Sequence, residues 1–315
     1  MRLFDKLLSL VKSGIEWSVG SVNMPGRGPD RTQGSVRKEA DVMAGSPLIV
    51  TFCSRDYIPV LANFVAALRK RKQRPLRIYC LDAETYEFCL SADVQARMLT
   101  WDGSLESLWT KRVAVFCELI ADGHDFIHSD VDAVWFRDPV DLWTSDDVDM
   151  VFSQGTIHPP DAHQALGFVL CCGFFRMNAT GGVERFLDRL AGHVARTGDD
   201  QESVNRVLIE AGTQWQNIET PDYRLRVRGQ SFNCWKEPVQ GYCQELDLTI
   251  SLIPHSVVQR TEDPSDTMDR VCVKHPLAAK DPRDKLEELG RQGLLAVRQD
   301  WYDLPSSAVF ADYFS

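Results

Sequence analysis

The order of patterns after Pro47 restricts the fold most, because short β-branched apolar runs alternate there with amphipathic helical segments. PLIVTFCS (47–54) reads as a strand, and YIPVLANFVAALRKRKQ (57–73) as an amphipathic helix with a basic end. PLRIYCLD (75–82) repeats the strand signal after a proline. SLESLWTKRVAVFCELIADG (104–123) reads as a strong helix, with Ser104 as N-cap and Gly123 as its end. HDFIHSDVDAVWF (124–136) then reads as one further strand. This order predicts an α/β fold with a Rossmann-like, mostly parallel central sheet flanked by helices.

The second half is more mixed. Strands are expected in 148–155, 168–178, 223–229, 248–254 and 270–275, and helices in 180–196, 201–212 and 284–295, before an aromatic tail at 301–314. The chain is therefore read as one large domain over 47–315, split into 47–140 and 141–315. Ahead of it, residues 1–19 carry apolar side chains at helical spacing, and 20–46 are rich in Gly, Pro, Ser and charge. We expect an amphipathic helix joined by a flexible linker, the helix packing on its own domain, lying on a membrane surface or binding a partner.

Charge narrows the function. Lys and Arg total 35 against 45 for Asp and Glu, a formal net charge of -10, which disfavours general nucleic-acid binding. No run approaches the about 20 apolar residues of a spanning helix. The nine cysteines form no disulfide framework and no paired metal motif, so reduced thiols and a cytoplasmic location are expected, with a peripheral membrane contact left open through residues 1–19.

Asp130 and Asp132 follow the apolar stretch FIHS at i, i+2 spacing, which puts both carboxylates on one face of an extended chain. Two such carboxylates repel unless a cation lies between them, and the flanking Phe126, Ile127, Val134, Trp135 and Phe136 make a solvated turn a poor alternative. A hard divalent ion that keeps positions for water and substrate phosphates answers the need.

The block TKRVAVFCELIADGHDFIHSDVDAVWFRDP (110–139) resembles the nucleotide-diphospho-sugar transferase family, GT-A glycosyltransferases that include glycosyltransferase family 77. Lys111 or Arg112, Asp130, Asp132, Trp135, Asp138 and Pro139 answer to its motif, followed by Gly173–Thr180, Asp200-Gln201 and a strand ending in His275. After His275 the chain departs from the family's pattern and reads HPLAAKDP.

The resemblance implies a GT-A fold, with a nucleotide-sugar half (47–140) and an acceptor half (141–315). It implies sugar transfer from a nucleotide-diphosphate sugar, UDP by family habit, to a glycan, protein or other hydroxyl acceptor, with retention of configuration. A bound Mn²⁺ or Mg²⁺ would stabilise the departing diphosphate. Asp132 is the first choice of ligand, Asp130 acts through water or on the ribose, and His275 offers imidazole, which suits Mn²⁺. Thr51, Arg55, Lys111, Arg112, Asp130 and Lys280 are expected on the donor. Asp200 and Gln201, at a helix start where Asp also serves as an N-cap, are the candidates beside the anomeric carbon. Trp235 and Tyr242 are expected on the acceptor.

Two other readings remain at this level. Haloacid-dehalogenase phosphatases also place D-x-D after an apolar strand, with Asp130 then the nucleophile. Alternatively, the domain binds a sugar nucleotide without turnover.

Overall fold

The computed structural model describes residues 46–70, 74–139, 148–263, 270–277, 281–305 and 307–314. Residues 1–19, the linker up to residue 45, the 140/141 boundary and Lys280 lie outside them.

The chain opens with β1 (Leu48–Cys53), α1 (Ile58–Arg69), β2 (Leu76–Cys80), α2 (Ala83–Ser91) and β3 (Gln95–Met98). It then crosses back through α3 (Leu105–Ala121) to β4 (Phe126–Ser129). The strand order β3-β2-β1-β4 is parallel throughout, with β4 on the far side of β1. The chain thus reverses its direction of growth between β1 and β4, and an open α/β sheet leaves a crevice at the strand carboxyl ends there.

The segment read as one strand over 124–136 breaks in two. β4 ends at Ser129, residues 131–132 turn, and β5 (Val134–Trp135) joins a different sheet. The turn is stapled by Trp135 Nε1 donating to Ser129 Oγ at 3.1 Å.

Next come β6 (Met150–Gln154), α4 (Pro160–Leu166), β7 (Leu170–Met177), α5 (Gly181–Thr197) and α6 (Asp200–Glu210). They are followed by β8 (Gln214–Trp215), β9 (Tyr223–Val227), β10 (Gln230–Cys234), β11 (Val239–Cys243) and β12 (Leu248–Leu252). β13 (Val258–Gln259), β14 (Val273–Lys274) and α7 (Pro282–Arg291) complete the regular elements. The main sheet continues from β4 as β7-β6-β12-β11-β8. Only β7 and β11 run against the rest, as their antiparallel pairings on both sides show.

Two apolar cores cover the sheet, one on each face. One gathers Val113, Phe116 and Leu119 of α3 with Phe186 and Leu190 of α5 and Val204 and Leu208 of α6. The other gathers Leu61, Phe64 and Val65 of α1 with Phe88 of α2 and Leu286 and Leu289 of α7. This is the three-layer α/β arrangement expected from the alternation. All nine cysteines are free thiols, and among the described residues no helix is long and apolar enough to cross a membrane.

Candidate metal and donor site

Asp130 sits directly after the buried strand β4, where its N–H donates to Gly173 O at 2.8 Å. The turn that follows places Asp132 beside it. The small sheet β13-β14-β5 brings in the third group. β14 runs antiparallel to β5, with Val273 opposite Trp135 and Lys274 opposite Val134. The next residue, His275, therefore falls alongside the turn that carries Asp132. Its Nε2 lies 3.2 Å from Asp132 Oδ1 and 3.6 Å from Asp130 Oδ2.

Asp130, Asp132 and His275 each offer one ligand atom, all within 4.8 Å of one another. Gly173 leaves the room for this convergence: a Cβ there would overlap the His275 ring and lie 2.6 Å from Asp130 Oδ2. Two carboxylate oxygens and an imidazole nitrogen at strand ends fit a divalent cation, and the nitrogen favours Mn²⁺ over Mg²⁺.

Buried cations surround the pair. Arg112, in the middle of α3, reaches the carboxylates with NH1 3.7 Å from Asp130 Oδ1 and NH2 3.4 Å from Asp200 Oδ2. It also donates to Cys172 O at 2.9 Å and stacks over Trp109. No ion pair links Lys111 to these carboxylates among the described residues, so Arg112 is the basic residue of the motif that enters the site.

His128 Nε2 faces both Arg112 NH2, at 2.7 Å, and Asp130 Oδ1, at 3.1 Å. A guanidinium only donates, so in its bond to Arg112 this nitrogen accepts and the ring is neutral. Burial, with Arg112 beside it, accordingly pushes the His128 pKa down to about 4. Burial would raise Asp130, but Arg112 and His275 beside it outweigh that and hold the carboxyl low. Asp132 is likewise held far below the usual range, because His275 and Lys285 outweigh its burial. Burial and the Arg260 guanidinium pull His275 down, and Asp132 overrides both to raise it.

Asp200 is buried at the start of α6. The N-cap is its neighbour Asp199, whose Oδ1 accepts from Glu202 N at 2.7 Å, which corrects the expectation of a capping role for Asp200. Freed from capping, Asp200 turns to Arg112. Burial dominates its titration, with Arg112 opposing and Asp130 reinforcing, and its pKa rises to about 6. Gln201 bridges backbone instead, accepting from Cys172 N at 3.2 Å and donating to His158 O at 2.7 Å.

Other expected residues fall differently. Thr51 lies within β1 and is completely buried, so its side chain does not open on the crevice. Arg55 is exposed, ion-paired with Asp56 and Glu84, and its N–H donates to Asp82 Oδ2 at 2.7 Å. Trp235 is buried edge-on against Phe168, with centroids 5.6 Å apart, at the wall of a shallow cleft that Asp222 and Glu237 share. Tyr242 is exposed on β11, four strand spacings from β4, or about 19 Å at the usual spacing. The structure thus sets Tyr242 away from the carboxylates and packs Trp235 against Phe168.

Three participants carried no sequence signal. Lys285 pairs with Asp132 Oδ2, and Arg260 donates to His275 Nδ1. Tyr57 lies close enough to feel the carboxylates: burial first, then Asp132 and Asp130, push its phenol up to about 12. Their distance along the chain from Asp130 hid Lys285 and Arg260; only the β5–β14 pairing reveals them. Three strands precede β4, whereas the phosphatase reading needs the carboxylate pair on the first.

The sequence model of the nucleotide-diphospho-sugar transferase family matches residues 72–280, more than half of the chain. Among solved structures, the chain is 14% identical to the glycosyltransferase GlyE of Streptococcus pneumoniae TIGR4, at TM-score 0.39, covering 51% of this chain and 43% of that one. It thus spans less than half of GlyE. It is 14% identical to the galactosyltransferase LgtC, solved with donor and acceptor sugar analogs, at TM-score 0.42, covering 81% and 99%. It is 11% identical to the bifunctional glycosyltransferase WbbM, at TM-score 0.44, covering 78% and 50%. No curated protein matches the chain.

Proposed function

The chain belongs to the nucleotide-diphospho-sugar transferase family, and on that premise we propose that it transfers a sugar from a UDP-sugar to a hydroxyl acceptor, assisted by a divalent cation and with retention of configuration. The observation that carries this reading is the meeting of Asp130, Asp132 and His275 at the carboxyl end of β4, with Gly173 leaving them room.

A cation held there supplies Lewis-acid stabilisation of the departing diphosphate. The rest is the work of the chain. Arg112, fixed by Cys172 O and by its stacking on Trp109, keeps Asp130 ionised and holds Asp200 in place. His128 stays neutral and adds no competing charge beneath Asp130. Asp200, once ionised, is the carboxylate to which the reading assigns the balancing of positive charge at an anomeric carbon, or attack on it, with its ion pair to Arg112 as support. Gln201 fixes the backbone at Cys172, one residue before the glycine that admits the cluster. On the donor side the reading uses Arg55 and Tyr57 at the mouth of the crevice, together with Lys280. On the acceptor side it keeps Trp235, and keeps Tyr242 for an extended glycan only, given the distance of β11 from β4.

The test is a screen of sugar nucleotides for Mn²⁺-dependent hydrolysis and transfer, with Asp132→Ala as control. We expect turnover of at least one UDP-sugar, lost in the variant with the fold kept by circular dichroism. Near-normal turnover by Asp132→Ala would overturn the metal assignment. NMR of the product decides the stereochemistry, and a β-linked product from a UDP-α-sugar would refute retention.

A further inference from the structure

Asp132 has both carboxylate oxygens engaged by the protein itself. Oδ1 faces His275 Nε2, and Oδ2 forms an ion pair with Lys285 Nζ. The pair is sheltered, with side-chain exposures of 6% for Asp132 and 16% for Lys285. Salt screens such a pair weakly. Lys285 lies in the first turn of α7, a helix fixed independently by the burial of Leu286 and Leu289 and capped by Asp281. The ammonium is therefore delivered to Asp132 by an element that does not need this contact for its own packing.

A lysine ammonium and a divalent cation compete for the negative charge of the same carboxylate. The ammonium neutralises one charge but cannot be a ligand, since it has no lone pair when protonated. Without a cation, Asp132 would be a buried carboxylate, which a protein tolerates only with a partner. A cation held beside His275 would face Oδ1 and lie close to the ammonium on Oδ2, and the repulsion between two positive centres on one carboxylate drives the lysine away.

We propose that Lys285 is a tethered counterion of the cation seat, holding Asp132 in the cation-free protein, giving way when a divalent cation binds, and thereby weakening cation affinity until a donor diphosphate receives the displaced ammonium. The inference rests on the reading of Asp130, Asp132 and His275 as the cation seat. It makes cation and nucleotide binding mutually reinforcing, because each removes an obstacle to the other. Arg260, set against His275 Nδ1, and Arg112, beside Asp130, add positive charge around the seat, but neither contacts Asp132 Oδ2.

The experiment measures Mn²⁺ binding to the full chain, stripped of metal, through the electron paramagnetic resonance signal of the free aqua ion. Wild type, Lys285→Met, Lys285→Arg and Asp132→Ala are compared without nucleotide and with UDP. Lys285→Met is expected to bind Mn²⁺ about tenfold tighter than wild type, and to lose most of the gain that UDP gives. Lys285→Arg keeps the charge and should behave as wild type. In parallel, acetylation of Lys285 in the wild type, read by mass spectrometry, should rise at saturating Mn²⁺ as the amine is released.

That second readout decides the matter if Lys285→Met fails to fold. Equal or weaker Mn²⁺ binding by a folded Lys285→Met, or acetylation unchanged by Mn²⁺, overturns the counterion role. If Mn²⁺ binding survives in Lys285→Met untightened yet is lost in Asp132→Ala, the counterion role alone fails. If neither wild type nor Lys285→Met binds Mn²⁺ while UDP still binds, the seat itself is refuted, and the inference with it.

Discussion

Asp200 shows how far one residue's environment departs from what its letter suggests. The sequence offers an acidic residue at a helix start, where capping explains it without chemistry. In the fold Asp199 takes the cap, and Asp200 turns inward against Arg112. With its pKa raised to about 6, Asp200 gives a testable pH dependence. If transfer needs the ionised carboxylate, kcat/KM falls as pH drops through about 6 in the free enzyme. Asp200→Asn should lose activity and leave the residual rate without that limb; a variant that keeps the limb assigns it elsewhere. Stability runs the other way. A folded carboxyl that titrates above its unfolded value binds more protons when folded, so its contribution is greatest at low pH and is lost as pH rises through about 6. Urea titrations from about pH 4 to 7 should show the advantage of wild type over Asp200→Asn shrinking. Arg112, Asp130, Asp132 and His275 were legible because they stand in a dense local motif or close a strand. Lys285 and Arg260 were not, since no local pattern marks a residue that acts across a long loop.

Among the elements, β7 does the most to assemble the site, though its sequence shows only an apolar run. Asn205 of α6 accepts from Leu170 N at 2.9 Å and donates to Leu170 O at 3.0 Å, so one side chain occupies both backbone groups at the strand's start. Gln201 adds the bond to Cys172 N, and Gly173 then meets Asp130 and His275. Asn205→Ala leaves two buried backbone groups unpaired and should cost about 2 kcal/mol of stability, read by urea unfolding. A loss below about 0.5 kcal/mol would mean that water replaces the amide without penalty. The alternation of strands and helices was readable because each element in the first half is a single clean run. The hairpins β9–β10 and β11–β12 were only half seen. In the β11–β12 turn Asp247 takes positive φ without glycine, and in the β9–β10 turn Arg228 does so beside Gly229, so the usual turn signal is muted in the first and partial in the second. The break after β4 was missed because a carboxylate pair within an apolar run does not reveal a change of sheet.

At the scale of the whole molecule, every side chain discussed at the site lies within 47–315, so deletion of residues 1–40 should leave transfer to soluble acceptors within about twofold. Loss of the folded signal on deletion would show that the segment belongs to the core. The pairing of β5 with β14 has a consequence in time. His275 follows Asp130 by 145 positions, and every strand of the main sheet precedes β14 in the chain. During synthesis, a ribosome that has made β1 to β12 has made all nine strands of the main sheet but not yet His275. Contacts of such long range close late, since the loop entropy must be met first. On the proposed reading, competence for the cation therefore waits for the chain to reach residue 275, and a nascent chain cut before it carries the carboxylates without their imidazole.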